Sequence, residues 1–264
     1  MGLAPCTVLF DHATSLYPAP TFHTASRTER TRSAFLNKEL FKMDKLLTTV
    51  REASKSLGDT EFIVEAFDST LPYLSSIGSG EQWGSIPFSQ CDGFLQETLD
   101  SLEQSEKYSK TRTGQATCVL IAEVEVEGMG SLLPGVRRRK DENRKLLLSV
   151  GTATIHGEWF PEYLTSQAHL GLAEVKDFTY IGVMVTDHRT GSFRQSVGGD
   201  LMQSIVKYGR SAGKKAIYVD GWAGNGRKLI RYYESLGFRI LGEFSMTRNN
   251  GSIWPGTLLK MDLS

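Results

Sequence analysis

The chain has 264 residues, of which 40% are hydrophobic and 23% charged, and its 30 basic and 30 acidic side chains leave no net charge. It is long enough to bury a large core, so it needs neither disulfides nor a structural metal to fold. The absence of a net positive charge argues against nucleic acid as a partner. No apolar run approaches the roughly 20 residues of a membrane-spanning helix, which favours a cytoplasmic protein without membrane contact.

Residues 1–58 are expected to form an N-terminal extension. Residues 1–35 are rich in Ser, Thr and Arg and poor in acids, a composition that favours a loosely docked segment over an organelle-targeting peptide. Residues 37–56 carry apolar side chains at helical spacing before Gly58, which predicts a helix. That helix is expected to pack on the domain or to exchange between the subunits of a homodimer.

Residues 59–264 are predicted to form one mixed α/β domain. Its first half is expected to contain a strand at 61–67, a helix at 94–102, and a hairpin with strands at 116–127 and 146–155. The basic run at 137–140 is expected in an exposed turn of that hairpin, because acidic residues follow it directly.

The second half of the domain alternates strands and helices. The expected order is a buried strand at 178–186, a loop at 187–199, a helix that ends near Gly213, a strand at 215–221, a turn and a helix that ends near Gly237, and two strands at 238–244 and 256–263. This order is typical of a mixed α/β domain without internal repeats.

A buried strand, a glycine-containing loop and a helix start follow one another at residues 178–200. Backbone N–H groups and the positive end of the helix dipole converge at such a turn, which therefore suits a phosphate. The sequence Gly198-Gly199-Asp200 does not fit the Gly-Lys-Ser/Thr end of a Walker loop. The spaced glycines of a dinucleotide-binding loop are also missing.

Two segments resemble motifs A and B of the GCN5-related N-acetyltransferase (GNAT) superfamily. Residues 196–213 are similar in length and apolar pattern to the loop and helix that bind the pyrophosphate of acetyl-CoA in that family. Residues 225–238 resemble the family's Asn…Tyr-Glu-x-x-Gly-Phe helix, which is the more specific motif. The loop before Gly198 is longer than usual, and Ser196 replaces the first glycine. The resemblance covers about residues 60–264.

The resemblance implies the GNAT fold, a central and mostly antiparallel sheet with a splayed pair of parallel strands and flanking helices. In that fold acetyl-CoA, the co-substrate, lies where the strands at 178–186 and 215–221 separate, here after Val183. The implied activity is direct transfer of an acetyl group to the primary amine of a small molecule, either amino-acid-like, a polyamine or an antibiotic-type amine. No metal is implied. The residues implied to contact acetyl-CoA are Val183, Met184, Val185, Arg194, Gln195, Ser196, Val197, Gly198, Gly199, Asn225 and Tyr233.

The resemblance also implies catalytic roles. Tyr233 would protonate the departing CoA sulfur, because a phenol can donate and recover a proton; the alternative is a core tyrosine. Asn225 would bind the pantetheine arm or cap the helix that follows it. Asp220 and Glu81 are candidates for the base that deprotonates the amine, and a purely structural carboxylate is the alternative for Asp220.

Carboxylates next to aromatic rings are expected around the acceptor amine, because this combination suits a cation. The expected amine-binding residues are Glu81, Trp83, Glu158, Trp159 and Trp222. Trp83 could instead anchor its loop. His156 and His188 are interpreted as surface or structural residues, and no histidines have the close spacing of a metal site.

Two other functions are open at the level of sequence. An acetyltransferase that acts on protein N-termini or lysines would need an open acceptor groove. A non-catalytic GNAT-like module that binds CoA or a partner is allowed by the irregular phosphate loop. A tyrosine at position 233 argues against the binding module.

Overall fold

The computed structural model describes residues 47–126, 135–248 and 251–263. The strands are β1 (Thr48–Glu52), β2 (Thr117–Glu125), β3 (Arg138–Lys140), β4 (Leu146–Gly157), β5 (Phe178–Thr186), β6 (Ala216–Trp222), β7 (Arg239–Thr247) and β8 (Ile253–Asp262). The helices are α1 (Asp59–Ser76), α2 (Phe94–Thr111), α3 (Glu162–Thr165), α4 (Val197–Ser211) and α5 (Lys228–Ser235). None of these helices is long and apolar enough to cross a membrane.

The eight strands form one sheet in the order β1-β2-β4-β5-β6-β8-β7, with β3 paired to β4. Strands β5 and β6 are parallel, and every other pairing among the described strands is antiparallel. The predicted fold class is confirmed: a mixed α/β protein with a mostly antiparallel sheet, one parallel pair and flanking helices.

Helices cover both faces of the sheet. We call the face covered by α1 and α2 face A, and the face covered by α4 and α5 face B. On face A, Phe62 and Phe94 of the helices pack against Val119 of β2. On face B, Leu201 and Tyr233 pack in a second cluster that includes the next residue of the same strand, Leu120. Strand residues alternate between the two cores because side chains of a strand alternate in direction.

The predicted helix at 37–56 is wrong for the residues that the structure describes. Thr48–Glu52 is a strand that pairs antiparallel with β2, with Val50 opposite Ala122. The β-branched residues Thr48, Thr49 and Val50 favour this conformation. The sheet therefore extends into the predicted N-terminal extension, of which residues 1–46 lie outside the described residues.

The predicted strand at 61–67 is also wrong. These residues lie inside α1, whose buried positions Phe67, Leu71 and Leu74 continue at helical spacing beyond the short window. A run of seven mostly apolar residues fits either structure, and only the longer pattern separates the two. The helix prediction at 94–102 is confirmed within the longer α2.

The basic run is partly strand rather than turn. Arg138–Lys140 pairs with Leu146–Leu148 of β4, and Arg139 donates two hydrogen bonds to Glu123 of β2. Residues 127–134, part of the predicted turn region, lie outside the described residues.

Two buried acids and two arginines tie the edge of the sheet to α1. Asp59 and Glu123 are 0% and 1% exposed. Arg51 of β1 bridges them, at 2.6 Å from Asp59 Oδ2 and 2.8 Å from Glu123 Oε1, and Arg139 lies 2.6 Å from Glu123 Oε2. Burial alone would raise the pKa of Glu123, but hydrogen bonds from Arg139 and Arg51 lower it below its usual 4.5. The balanced charges make these buried acids tolerable.

Replacing Glu123 by Gln should lower the free energy of unfolding by about 2–3 kcal/mol at neutral pH. This is less than the roughly 3–5 kcal/mol of a fully buried pair, because Arg51 and Arg139 are partly exposed. Since the pKa of Glu123 is lowered, its contribution is present above the unfolded-state pKa and is lost as the pH falls through the folded-state pKa. Urea unfolding at a series of pH values from 7 downwards should therefore show that the difference in unfolding free energy between the wild type and Glu123→Gln decreases only at acidic pH.

The matched control is Glu125→Gln, which removes an exposed ion pair with Lys145 on the same strand. It should cost less than about 1 kcal/mol. Equal effects of the two substitutions would contradict a special role for the buried network.

Candidate functional site

Strands β5 and β6 separate in the middle of the sheet. They pair from Phe178 and Ala216 as far as Ile181 and Val219, and no pairing between them follows. Beyond this point β5 stays bonded to β4 up to Thr186, and β6 stays bonded to β8 up to Trp222. The splayed pair is thus present, and its pairing ends at Ile181, slightly earlier along β5 than the predicted Val183.

A β-bulge marks the point of separation. Thr154 of β4 lies opposite Val183 and Ile155 lies opposite Ile181, so Gly182 is an extra residue on β5. A bulge bends its strand and increases its local twist, which turns the rest of β5 away from β6. A side chain at Gly182 would be crowded, since a methyl group there would lie 3.0 Å from His156 Nε2.

The first turn of α4 lies beside the end of β5. Ser196 has a left-handed backbone, with φ of 67°, and α4 begins at the next residue. The first amides of a helix have no acceptor within it, so those of Val197, Gly198 and Gly199 are available to an anion. The Val197 side chain is buried in the core of face B, whereas a methyl group on Gly199 would meet nothing within 4 Å. This turn can hold a phosphate through its backbone.

The residues before this turn are placed differently from one another. Arg194 has its guanidinium 5.5 Å from the centre of the Tyr73 ring on α1. Gln195 and Ser196 are exposed. Asp200 lies in the first turn of α4, where a negative charge is favourable to the helix dipole.

A groove of about 810 Å³ runs along face B from Gly199 to the end of α4. Its floor contains Leu236 and Met261, and its rim carries the cationic Lys207 and Arg210. An apolar floor with cations at the rim suits a ligand that combines an apolar body with phosphate groups.

Tyr233 is fully buried on face B. Its ring lies 5.5 Å from Tyr232 and 5.6 Å from Phe238. It belongs to the same cluster as Ile181 and Val219, the last paired residues before the strands separate. Tyr233 is thus a core residue by packing and lies in the cluster that borders the opening.

Asn225 holds a loop rather than a helix. Its Nδ2 donates to Ile77 O at 2.8 Å and to Ser79 Oγ at 2.7 Å. The N-cap position of α5 is Arg227, which makes no side-chain cap bond, so the capping interpretation of Asn225 is wrong. The loop at 77–84 follows α1, and Asn225 ties it to the turn after β6.

The same loop is fixed at two further points. Trp254 Nε1 donates to Gln82 O at 3.2 Å. Trp83 stacks on Phe67 with ring centres 5.3 Å apart and meets Phe88 edge-on at 5.5 Å. Trp83 therefore anchors the loop to α1, as its structural alternative predicted. Glu81 of the same loop is exposed.

Asp220 lies where the strands separate, one residue beyond the last paired position of β6. It is fully buried. Tyr180 donates a hydrogen bond to its Oδ1, Tyr163 donates to the same atom at 3.2 Å, and the two phenol oxygens are 3.1 Å apart. Burial raises the pKa of Tyr180 well above its usual 10, and the charge of Asp220 raises it further. Trp222 is buried in the same aromatic cluster of face A.

Glu158 and Trp159 point to different surroundings. Glu158 forms an ion pair with Lys214 at 2.6 Å. Trp159 is 39% exposed and lies over face A, with its ring centre 4.6 Å from His156 and 5.9 Å from Tyr180. The structure thus brings Trp159 and Asp220 to one cluster around Tyr180 and ties Glu158 to Lys214.

His156, which the sequence predicts as a surface or structural residue, lies beside this cluster. It lies on face A, directly opposite Tyr180 in the β4–β5 register, and its Nδ1 is 3.2 Å from Thr117 Oγ1. Burial lowers its pKa to about 4, so the ring is neutral at pH 7. The alternation of side chains along β4 predicts that Thr154 and His156 lie on the same face of the sheet. The register that brings His156 next to Gly182 could not be predicted from the sequence.

Several solved structures are similar to this fold. One is a Desulfovibrio desulfuricans protein assigned to the GNAT acetyltransferase family, at 9% identity and a TM-score of 0.51, with 83% of this chain and 100% of that chain covered. The chain has the GNAT fold. The TM-scores are slightly lower for two other structures. For yncA of Salmonella typhimurium, solved with acetyl-CoA, the TM-score is 0.48 at 17% identity, with 82% of this chain and 94% of that chain covered. For a ribosomal-protein-alanine N-acetyltransferase of Brucella melitensis, the TM-score is 0.49 at 15% identity, with 81% of this chain and 99% of that chain covered. No family model and no curated protein matches the sequence.

Metal ligands do not converge in the region of the GNAT fold that the structure describes. Among residues 47–126, 135–248 and 251–263, no group of three or more His, Cys, Asp or Glu side chains is arranged to hold a metal ion.

Replacing Asp220 by Asn should lower the pKa of Tyr180 while leaving it above 10, because the charge disappears but burial, the larger cause, remains. NMR titration of protein labelled at tyrosine Cζ would follow each phenol separately. Tyr218 is the internal control, since burial raises its pKa and Asp220 does not act on it. An unchanged pKa of Tyr180 would show that the Asp220 charge is not felt there.

Proposed function

We propose that this protein is an acetyl-CoA-dependent N-acetyltransferase that acts on the primary amine of a small molecule, either amino-acid-like, a polyamine or an antibiotic-type amine. The observation that carries the proposal is the separation of β5 and β6 beside the first turn of α4. It combines an unpaired strand edge with a backbone anion site, which are the two features that a pantetheine arm and a pyrophosphate require.

Acetyl-CoA would be held by backbone groups in both places. The edge of β5 at Val183, Met184 and Val185 faces away from β4 and has no partner strand on the β6 side. Its N–H groups would bond the pantetheine amides and polarise the thioester carbonyl. The amides of the first turn of α4 would bond the pyrophosphate, with Lys207 and Arg210 of the adjoining groove available to further phosphate oxygens.

Bound acetyl-CoA supplies an activated acetyl thioester, and the chain supplies position and proton transfer. Tyr233, in the cluster that borders the opening, would give a proton to the departing sulfur. Asp220, with Tyr163 and Tyr180, places a buried negative charge on the opposite face, where it favours a cationic or partly positive amine nitrogen. Trp159 adds an aromatic surface to the same side.

A small acceptor is favoured by the loop at 77–84. It is tied to Asn225 at one end and to Trp254 further along, so it bridges α1 and the strands beyond the opening. A fixed bridge at this position favours a closed acceptor pocket over the open groove that a protein chain would need. We propose that the protein is cytoplasmic. The homodimer stays a prediction.

Gly199→Glu should abolish stabilisation by acetyl-CoA. At 100 times its dissociation constant, the ligand should stabilise the wild type by about 2.7 kcal/mol. A Cβ atom at this position would meet nothing within 4 Å, so the fold should persist while a carboxylate is introduced beside the proposed phosphate site. Thermal unfolding with and without acetyl-CoA measures both effects.

The matched control is Gly199→Ala, which adds a methyl group into open space without charge. It should keep most of the ligand-induced shift. If acetyl-CoA does not stabilise the wild type at all, the proposed function is wrong.

Release of free CoA thiol should depend on a primary amine, and Tyr233→Phe should lower kcat by about 10²-fold, within the usual range for general acid–base catalysis. A panel of amino acids, polyamines, aminoglycosides and N-terminal peptides would rank the acceptors. The affinity for acetyl-CoA measured by thermal shift serves as the control for folding. Turnover with peptides alone would favour a protein acetyltransferase, and binding without turnover would favour the non-catalytic module.

A further inference from the structure

The His156 ring lies next to the backbone at the point where the strands separate. It fits there because residue 182 is a glycine without a side chain. Gly182 is the extra residue of the bulge and the first residue of β5 beyond the segment paired with β6. A methyl group on Gly182 would lie 3.0 Å from His156 Nε2 and 3.2 Å from its Cδ2. The imidazole therefore covers the backbone at the start of the opening, on the face that carries Asp220 and Tyr180.

The hydrogen bonds of the ring fix which nitrogen carries the proton. Thr117 Oγ1 donates its single hydrogen to Gln104 Oε1 at 2.8 Å. The same oxygen lies 3.2 Å from His156 Nδ1 and must therefore accept the Nδ1 hydrogen. Nε2 is then left with its lone pair, and this is the nitrogen next to Gly182.

We propose that His156 is the general base of the acetyl transfer, taking a proton on Nε2 from the acceptor nitrogen. This inference rests on the proposed function. As the neutral amine forms its bond to the thioester carbon, its nitrogen becomes acidic and passes one proton to Nε2. The carbon–sulfur bond then breaks, the sulfur takes a proton from Tyr233, and His156 and Tyr233 return to their starting states by exchange with water. The products are the acetamide and CoA thiol.

The other titratable groups near His156 are less suited to this role. Asp220 Oδ1 already accepts two phenol hydrogens, from Tyr180 and Tyr163. Glu158, two residues along the chain, is held by Lys214. Burial keeps the imidazole neutral at working pH, so His156 is in its accepting form whenever a neutral amine arrives.

His156→Ala should lower kcat by about 10²-fold or more, with acetyl-CoA affinity unchanged, and added imidazole should restore some of the lost rate. Restoration by imidazole requires the missing ring to act in the chemistry, and a purely structural histidine would not show it. Thr117→Val, which removes the Nδ1 acceptor, should lower kcat less, and Thr117→Ser should keep the wild-type rate. Gly182→Ala should displace the His156 ring and lower kcat in assays that contain no imidazole.

The matched control is His169→Ala, because His169 bonds the backbone of Glu243 and lies outside this cluster. It should keep wild-type activity. If His156→Ala binds acetyl-CoA and turns over at the wild-type rate, or loses activity that imidazole does not restore, the assignment of the base is wrong. Should His156→Ala fail to fold, His156→Gln and Gly182→Ala decide the question by the same kcat and binding measurements.

Failure of the proposed function is distinguishable from failure of this inference. A wild type that neither binds acetyl-CoA nor acetylates any amine would overturn both. A wild type that acetylates an amine, with a His156→Ala variant of equal rate, would overturn the inference alone and leave the transferase assignment standing.

Discussion

The requirement that backbone N–H and C=O groups find partners governs this molecule. Within a sheet each strand supplies hydrogen-bond partners to the backbone groups of its neighbour. Where a strand separates from its neighbour, those backbone groups need other partners. The bulge at Gly182 creates this situation in the centre of the sheet, where β5 bends away from β6 while each keeps its other neighbour. The opening is therefore held in place by the strands on both sides.

The two faces of the sheet make different contributions at this opening. Face B provides an apolar cluster with Tyr233 and the amides of the α4 turn. Face A provides polar groups that are buried and bonded to one another, with Asp220 and Tyr180 at the centre and His156 close by. The proposed reaction between a phosphate-bearing thioester and an amine would use this division, since one substrate presents anions and the other a basic nitrogen.

The C-terminal half of the fold could be predicted because its signals are local. The apolar run of β5 and the helix stops at Gly213 and Gly237 follow directly from composition and spacing. The N-terminal errors have a different cause: seven residues from Glu61 fit a strand as well as a helix, and the strand Thr48–Glu52 is stabilised by pairing with residues far along the chain. Short windows cannot contain either piece of information.

The residues of the candidate site also differ in whether local sequence patterns can predict them. Asp220 can be predicted as a candidate base because it is an acidic residue in an apolar strand, which is a local signal. The contribution of His156 depends on the register of β4 and β5 and on the bond to Thr117 Oγ1, and no pattern along the sequence encodes these distances. The ties of Asn225 to Ile77 and Ser79 likewise join segments that lie far apart in the chain.

The position of β1 has a practical consequence for the boundaries of the folded unit. A chain begun at residue 59, where the predicted domain starts, would lack Arg51 and the strand that covers the outer edge of β2. Asp59 would lose its counter-ion, and a long row of main-chain groups on β2 would face water, ready to pair with another molecule. Aggregation of such a shortened protein would reflect the lost strand and would say nothing about its chemistry.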